Sequence, residues 1–162
     1  MQFVSRWGVV VAIGLLVFGW GIGLGPLGEE DQPVGAAEPA GPSLEPVVES
    51  MHQFMEYVFE PNYKLLRQHL AAEPADKKGW KPIKAASLML AESGNLLLLR
   101  TPEEEGARWN ELSVAVRQLS GQLYHTARDR DYPSASKQYR ALLQKCNACH
   151  QEFAEGKYQL QP

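Results

Sequence analysis

Apolar residues recur at intervals of three and four along the chain from Leu44 onward, and this periodicity constrains the fold more than any other feature. The same stretch holds only five glycines, no Asn-Gly or Asp-Gly turn and no alternating apolar run, so strands are not predicted. Four amphipathic segments joined by short loops predict an all-α fold, an antiparallel four-helix bundle.

The first two predicted helices are delimited by polar loops and prolines. The first is expected to begin near Ser43, to be kinked or briefly broken at Pro61, and to reach about Ala72. The second is expected over 81–100, where Gly94 is either a weak point or a place of close packing.

The last two predicted helices have clear start signals. Thr101 is the expected N-cap of the third helix, with Pro102 in its first turn and Glu104 completing a capping box, and the helix ends after Asp129. Ser134 is the expected N-cap of the fourth helix. The apolar face of the second helix consists of Ile83, Ala86, Leu90 and 96–99. That of the third consists of Trp109, Leu112, Val116, Leu119, Leu123 and Ala127. That of the fourth consists of Tyr139, Leu142, Leu143, Cys146, Cys149, His150 and Phe153.

The N-terminal region is predicted to direct export. Residues 7–27 carry no charged side chain and follow Arg6, so 1–27 is either a cleaved signal peptide or an N-terminal membrane anchor. Residues 28–43 form an acidic, proline-rich linker, and 44–162 is the folded domain. A periplasmic or otherwise exported location follows, with the membrane contacted only through the N-terminal segment.

Charge excludes one class of function. The chain has 16 Lys and Arg against 19 Asp and Glu, a net charge of -3, whereas nucleic-acid-binding domains are usually basic. From Leu44 onward acids and bases balance, so the surplus of acids belongs to the linker.

The last predicted helix carries the sequence Cys146-Asn-Ala-Cys149-His150, the C-x-x-C-H pattern of c-type haem attachment. Residues at i, i+3 and i+4 share one helix face, so both sulfurs can reach the vinyl groups of one porphyrin. His150 is then placed to bind the iron from the proximal side. One covalent haem c would use both cysteines, which predicts no disulfide.

Three other interpretations of the cysteines are weaker. A C-x-x-C redox pair usually accompanies a βαβ pattern, and zinc usually requires a fourth ligand. A disulfide across two residues of a helix has poor geometry.

The chain resembles the class II cytochromes c, the cytochrome c-prime and cytochrome c556 group, in having C-x-x-C-H on the last of four helices near the C-terminus. The resemblance covers about 44–153 and implies that the first helix supplies the distal side of the haem. Counting back from the stretch 64–67 places Met55 at the family's distal position, and Met51, one turn earlier, is the alternative ligand. Both methionines could equally be core residues.

Other side chains are candidates for the haem surroundings. Phe54, Phe59 and Leu143 are expected as pocket walls, and His52 as a minor alternative ligand. His69 and His125 are expected in solvent. Pairing with the haem propionates is expected from one of three basic residues: Arg100, Arg140 or Lys145.

Two functions follow from the two states of the sixth iron position. Methionine ligation raises the reduction potential and suits an electron carrier that serves redox partner proteins. An open position would suit binding of small gases such as NO and CO, as in cytochrome c-prime. A third hypothesis is a structural or interaction bundle in which the motif is incidental. No acid–base pair or nucleophile accompanies the motif, so no enzyme activity is predicted. The resemblance also implies a homodimer through the first two helices.

Overall fold

The computed structural model describes residues 43–162, which contain helices and no strand. The helical segments are α1 (Met51–Phe54), a π-helical segment (Met55–Phe59), α2 (Glu60–His69), α3 (Lys77–Leu98), α4 (Gly106–Asp129) and α5 (Tyr132–Phe153). The all-α prediction is confirmed for these residues. The predicted export segment, and the linker apart from Ser43, lie outside the described residues.

Within residues 43–162, no helix is both long enough and apolar enough to cross a lipid bilayer.

The first helix begins later than the sequence predicted. Its N-cap is Ser50, whose side-chain oxygen accepts a hydrogen bond from the Gln53 amide, and the prediction of a start near Ser43 is wrong. Pro46 disfavours helical geometry at Glu45, the residue before it, and the Ser50 cap sets the start at Met51. Val47, which the periodicity assigned to the apolar face, is fully exposed.

The predicted kink or break at Pro61 is replaced by a wider helical turn. The backbone stays helical over 51–69, but the Glu60 amide bonds to the Met55 carbonyl, five residues back. Pro61 has no N–H to continue the α-helical ladder, and the π-helical segment directly precedes it. The Asn62 side chain donates to the Val58 carbonyl at 2.7 Å and so satisfies one carbonyl of this turn.

The second predicted helix begins four residues earlier than expected. Asp76 is the N-cap of α3 and accepts hydrogen bonds from the Lys78 and Gly79 amides at 2.9 Å. Pro82 therefore lies inside α3 and not at its start. A capping aspartate five residues before the predicted start was the missed signal.

The capping box predicted at Thr101 does not form. The α4 helix begins at Gly106, after Glu105 in the left-handed conformation, so Pro102 and Glu104 belong to the preceding turn. The Thr101 hydroxyl donates to the Leu98 carbonyl at 2.8 Å. It therefore serves the end of α3, where carbonyls lack helical partners, and caps no backbone amide of α4, although it also lies 2.6 Å from Asn110 Oδ1.

The predicted cap of the last helix is displaced by three residues. Asp131 is the N-cap of α5, and its carboxylate accepts a hydrogen bond from the Ser134 amide at 3.1 Å. Ser134 itself lies in the first turn. Two residues, Arg130 and Asp131, join α4 to α5.

The core is formed where α2 packs against α3, α3 against α4, and α4 against α5. The apolar faces predicted for α3, α4 and α5 supply most of it, although Leu96 and Leu99 are exposed. One cluster contains Leu66, Leu70, Trp80, Ile83, Ala86, Leu90, Val116, Leu123, Ala127, Ala135, Tyr139, Leu142 and Leu143; we call it the main cluster. The other contains Phe54, Leu97 and Trp109; we call it the upper cluster.

Gly94 marks the closest approach of two helices. A β-carbon on Gly94 would lie 2.8 Å from Arg117 Cβ and 2.9 Å from Arg117 Cα. The glycine therefore lets α3 and α4 pack backbone to backbone. Of the two alternatives predicted for Gly94, close packing is confirmed and a weak point is not.

Candidate haem-binding site

The C-x-x-C-H motif occupies the last two turns of α5. Cys146, Cys149 and His150 are all half-buried and helical, and α5 ends at Phe153. The chain turns back at once, with Gly156 at φ 72° and its amide bonded to the His150 carbonyl at 3.0 Å. Both cysteines are unpaired thiols. The helical spacing therefore presents the two sulfurs and the imidazole on neighbouring positions of one face.

The two cysteines contact different parts of the core. Cys146 packs against the main cluster, and Cys149 packs against the upper cluster. Burial is the largest cause of a rise in the pKa of Cys146 to about 12 and in that of Cys149 to about 11. Both side chains are therefore protonated thiols at neutral pH, unlike the low-pKa thiolates of redox-active cysteine pairs.

His150 is oriented by a main-chain carbonyl. Its Nδ1 lies 2.8 Å from the Tyr158 oxygen. A carbonyl oxygen only accepts hydrogen bonds, so Nδ1 carries the proton and donates it to this bond. In the neutral imidazole, Nε2 then has a free lone pair, which is the form that binds a metal.

The upper cluster brings the predicted distal residues to the cysteines. Met51 and Met55 are partly buried and pack against Phe54, Leu97 and Trp109, as does Cys149. Both methionines therefore border the cluster that one of the two haem-attachment sulfurs contacts. The π-helical segment begins at Met55, and such segments are frequent at functional sites.

The three predicted pocket walls lie in the core. Phe54 is buried in the upper cluster, Leu143 is buried in the main cluster, and Phe59 is partly buried and packs against both. Phe54 and Phe59 meet edge to face, with ring centroids 5.5 Å apart. These side chains are apolar, and they belong to or pack against the two clusters that Cys146 and Cys149 contact. A flat apolar cofactor requires such apolar walls.

The three candidates for propionate pairing have different environments. Arg100 donates to the Leu96 and Val48 carbonyls at 3.1 Å, and its guanidinium lies 4.0 Å from the Phe54 ring centroid. Arg140 donates to the Ser136 hydroxyl at 2.7 Å. It also lines, together with Arg67, a cavity of about 520 Å³ between α2 and α5. Lys145 is half-buried.

The remaining histidines have different positions. His52 is exposed on α1, 3.8 Å from the Glu56 carboxylate, and its ring centroid is 6.1 Å from that of Tyr158. The same tyrosine ring lies 6.4 Å from His150. His125 is exposed as predicted, whereas His69 is half-buried.

Two contacts join α4 to the end of α5. The Arg108 guanidinium forms a bidentate pair with the Glu152 carboxylate, with N–O distances of 2.7 and 2.8 Å. This pairing lowers the pKa of Glu152. The Trp109 and Phe153 rings meet edge to face at 5.0 Å, and Trp109 Nε1 donates to the Leu97 carbonyl. The turn that carries Cys149 and His150 is therefore fixed from the α4 side.

The sequence analysis missed the segment after α5. Residues 154–162, which we call the strap, supply the carbonyl that bonds to His150 and contact both α5 and α2. Asn147, inside the C-x-x-C-H motif, bonds to the strap backbone. The only sequence signal was Asn147. Its side chain can both donate and accept hydrogen bonds, and the C-x-x-C-H pattern leaves the residue at this position unspecified.

No group of three or more His, Cys, Asp or Glu side chains within residues 43–162 is placed to hold a metal ion. Compared with protein-family models, curated proteins and solved structures, the chain matches none.

Proposed function

We propose that this chain is an exported monohaem c-type cytochrome that transfers electrons between redox partners. Cys146 and Cys149 attach one haem c, and His150 is the proximal iron ligand. The observation that carries the proposal is the hydrogen bond from His150 Nδ1 to the Tyr158 carbonyl, which leaves Nε2 free beside two protonated thiols. The fold proposed with it is an antiparallel four-helix bundle resembling the class II cytochromes c.

The residues present fit this cofactor. Each thiol would add its S–H across a vinyl double bond, with sulfur bonded to one carbon and hydrogen to the other, so no oxidant or reductant is consumed. Half-buried thiols beside apolar side chains lie where the edge of an apolar porphyrin could contact them. A bound haem c supplies an iron centre that gains and loses one electron. The apolar side chains of the two clusters would shield such a centre from water.

Met55 is the proposed sixth ligand, with Met51 as the alternative. Both are on the side of the first helix that packs against the upper cluster with Cys149. A thioether ligand would favour ferrous iron and a higher potential than a second histidine would. The proposed partner of a propionate is Arg100, Arg140 or Lys145; Arg140 borders an open cavity with Arg67, whereas Arg100 is already bonded to two carbonyls.

The surface supports the homodimer proposed through the first two helices. Leu65 on α2 is 38% exposed and Met89 on α3 is 50% exposed. Three further leucines are also partly exposed: Leu88 and Leu96 of α3, and Leu99 at its C-cap. Burying such side chains between copies would remove apolar area from water.

Covalent haem attachment is the first test. The full chain is expressed with haem c maturation, and haem that survives denaturation is quantified for the wild type, Cys146→Ser, Cys149→Ser and Ala148→Ser. We expect one haem in the wild type and in Ala148→Ser, a matched change inside the motif, and a loss of at least one thioether in each cysteine variant. A wild type without covalent haem would reject the proposal and favour an interaction bundle.

The spin state tests the sixth ligand. Ferric spectra are recorded for the wild type, Met55→Ala, Met51→Ala and the exposed control Met89→Ala. We expect a low-spin wild type that turns high-spin only in Met55→Ala. A high-spin wild type that binds CO rapidly would replace electron transfer with gas binding, and an unchanged spectrum in Met55→Ala would reject Met55 as the ligand.

A further inference from the structure

The strap returns from the end of α5 along that helix. Tyr158 lies beside His150, and Leu160 lies beside Asn147, so the strap and α5 run in opposite directions. On the other side, the Tyr63 hydroxyl of α2 donates to the Gln161 carbonyl at 2.8 Å and accepts from the Gln161 amide at 3.2 Å. The strap is therefore bonded to both α2 and α5.

Asn147 holds the strap by two hydrogen bonds to one residue. Its Oδ1 accepts from the Leu160 amide at 2.7 Å, and its Nδ2 donates to the Leu160 carbonyl at 3.0 Å. The Leu160 side chain also packs against the main cluster. This anchor is two residues from Tyr158, whose carbonyl contacts His150.

The backbone at Tyr158 adopts a conformation that needs such support. Tyr158 has φ 59°, in the left-handed region that bulky residues rarely occupy. A residue keeps such a conformation only where its surroundings determine it. Two features flank Tyr158: the turn at Gly156, bonded to the His150 carbonyl, and the Asn147 anchor at Leu160. Together the turn and the anchor orient the Tyr158 carbonyl toward His150 Nδ1.

We propose that the strap, clamped by Asn147 and Tyr63, is the positioning element that sets the orientation and basicity of His150 toward haem iron. This inference rests on the proposed function. A hydrogen bond from Nδ1 to a carbonyl fixes the ring and makes Nε2 a stronger electron donor. Since a stronger donor favours ferric iron, the clamp lowers the reduction potential and loosening it raises the potential.

The size of the expected shift in reduction potential follows from the usual effect of groups that hydrogen-bond to a metal-binding histidine. Loss of the group that orients a metal-binding histidine costs about 10- to 100-fold in metal affinity. Asn147 acts through the strap, so the lower end of that range applies. Where a tenfold loss falls on ferric iron alone, the potential of the one-electron couple rises by about 59 mV.

The test combines two readouts on the full chain. Asn147→Ala and Tyr63→Phe each weaken one anchor without changing His150, and Gln144→Ala, exposed one turn earlier on α5, is the control. Hydrogen exchange of the Leu160 amide measures the attachment of the strap and needs no haem. The midpoint potential measures the consequence at the iron.

We expect both anchor variants to speed exchange at Leu160 by at least tenfold and to raise the potential, with the larger rise in Asn147→Ala and no change in Gln144→Ala. Faster exchange at an unchanged potential would overturn the positioning role. Unchanged exchange in both variants would overturn the clamp itself. Should Asn147→Ala fail to fold, Tyr63→Phe, which removes one hydroxyl, decides the question. Absence of covalent haem in the wild type would instead reject the proposed function, which exchange does not measure.

Discussion

Gly94→Ala is expected to separate the two helices that pack most closely. The added β-carbon would lie 2.8, 2.9 and 3.0 Å from Arg117 Cβ, Cα and N. Carbon atoms prefer separations of about 3.5–4.0 Å, so α3 and α4 must move apart by roughly 0.6–1 Å. Overpacking of this kind costs about 1–3 kcal/mol, whereas alanine gains about 1 kcal/mol over glycine in a helix interior. The net expectation is a loss of about 1 kcal/mol, since two of the three contacts are to backbone atoms that cannot rotate away.

Gly121→Ala is the matched control for this change. It lies inside α4, and no described atom would come within 4 Å of its β-carbon. Helix propensity then acts alone and should stabilise the protein by about 0.5–1 kcal/mol. Urea unfolding followed by circular dichroism gives both values from the midpoints at constant slope. If Gly94→Ala were as stable as Gly121→Ala, the backbone contact between α3 and α4 would be refuted.

Three further variants can be measured in the same assay. Trp109→Phe removes the buried hydrogen bond to the Leu97 carbonyl and some packing volume, and should cost about 1–3 kcal/mol; a loss below 0.5 kcal/mol would contradict that bond. Tyr139→Phe removes a buried hydroxyl with no partner among the described residues, so it should be neutral or stabilising by up to about 1 kcal/mol; clear destabilisation would show that the hydroxyl is bonded. The pKa of Glu152 is lowered by Arg108, so its contribution to stability is present above its usual pKa and is lost as the pH falls through the lowered value. Between pH 5 and pH 3 the wild type should therefore lose slightly more thermal stability than Glu152→Gln, and equal losses would mean that the pair contributes nothing.

Helix identity followed from the sequence, but helix starts did not. Apolar faces such as Ile83, Ala86 and Leu90 repeat over several turns, and burial depends on that repetition. A cap depends on one residue, and several polar residues compete for each start. Thr101 illustrates this competition, because its hydroxyl bonds to the Leu98 carbonyl behind it and to the Asn110 side chain, and not to a backbone amide ahead of it. Local propensity alone does not decide between the two uses.

The candidate site also has one part that the sequence predicted and one part that it did not. The positions of Cys146, Cys149 and His150 on one helix face follow from spacing alone, and so does their place at the end of α5. The carbonyl that orients His150 comes from Tyr158, across an irregular turn with a left-handed residue. No periodic pattern encodes such a contact, which depends on the course of the backbone after α5.

The π-helical segment changes the argument for the distal ligand. Met55 was assigned by counting α-helical turns back from 64–67, but the Glu60 amide bonds to the Met55 carbonyl and so encloses one additional residue. One residue turns a helix by about 100°, so the face assigned to Met55 by an α-helical count is occupied by Phe54. Phe54 is buried, and Met51 and Met55 lie on the same side of it, at about 60° and 100°. The two methionines are α-helical neighbours one turn apart, since the Met55 amide bonds to the Met51 carbonyl, and Met51 is the closer of the two to the buried face. For this reason Met51→Ala is a full competitor of Met55→Ala in the spin-state test, and Met89→Ala is the control.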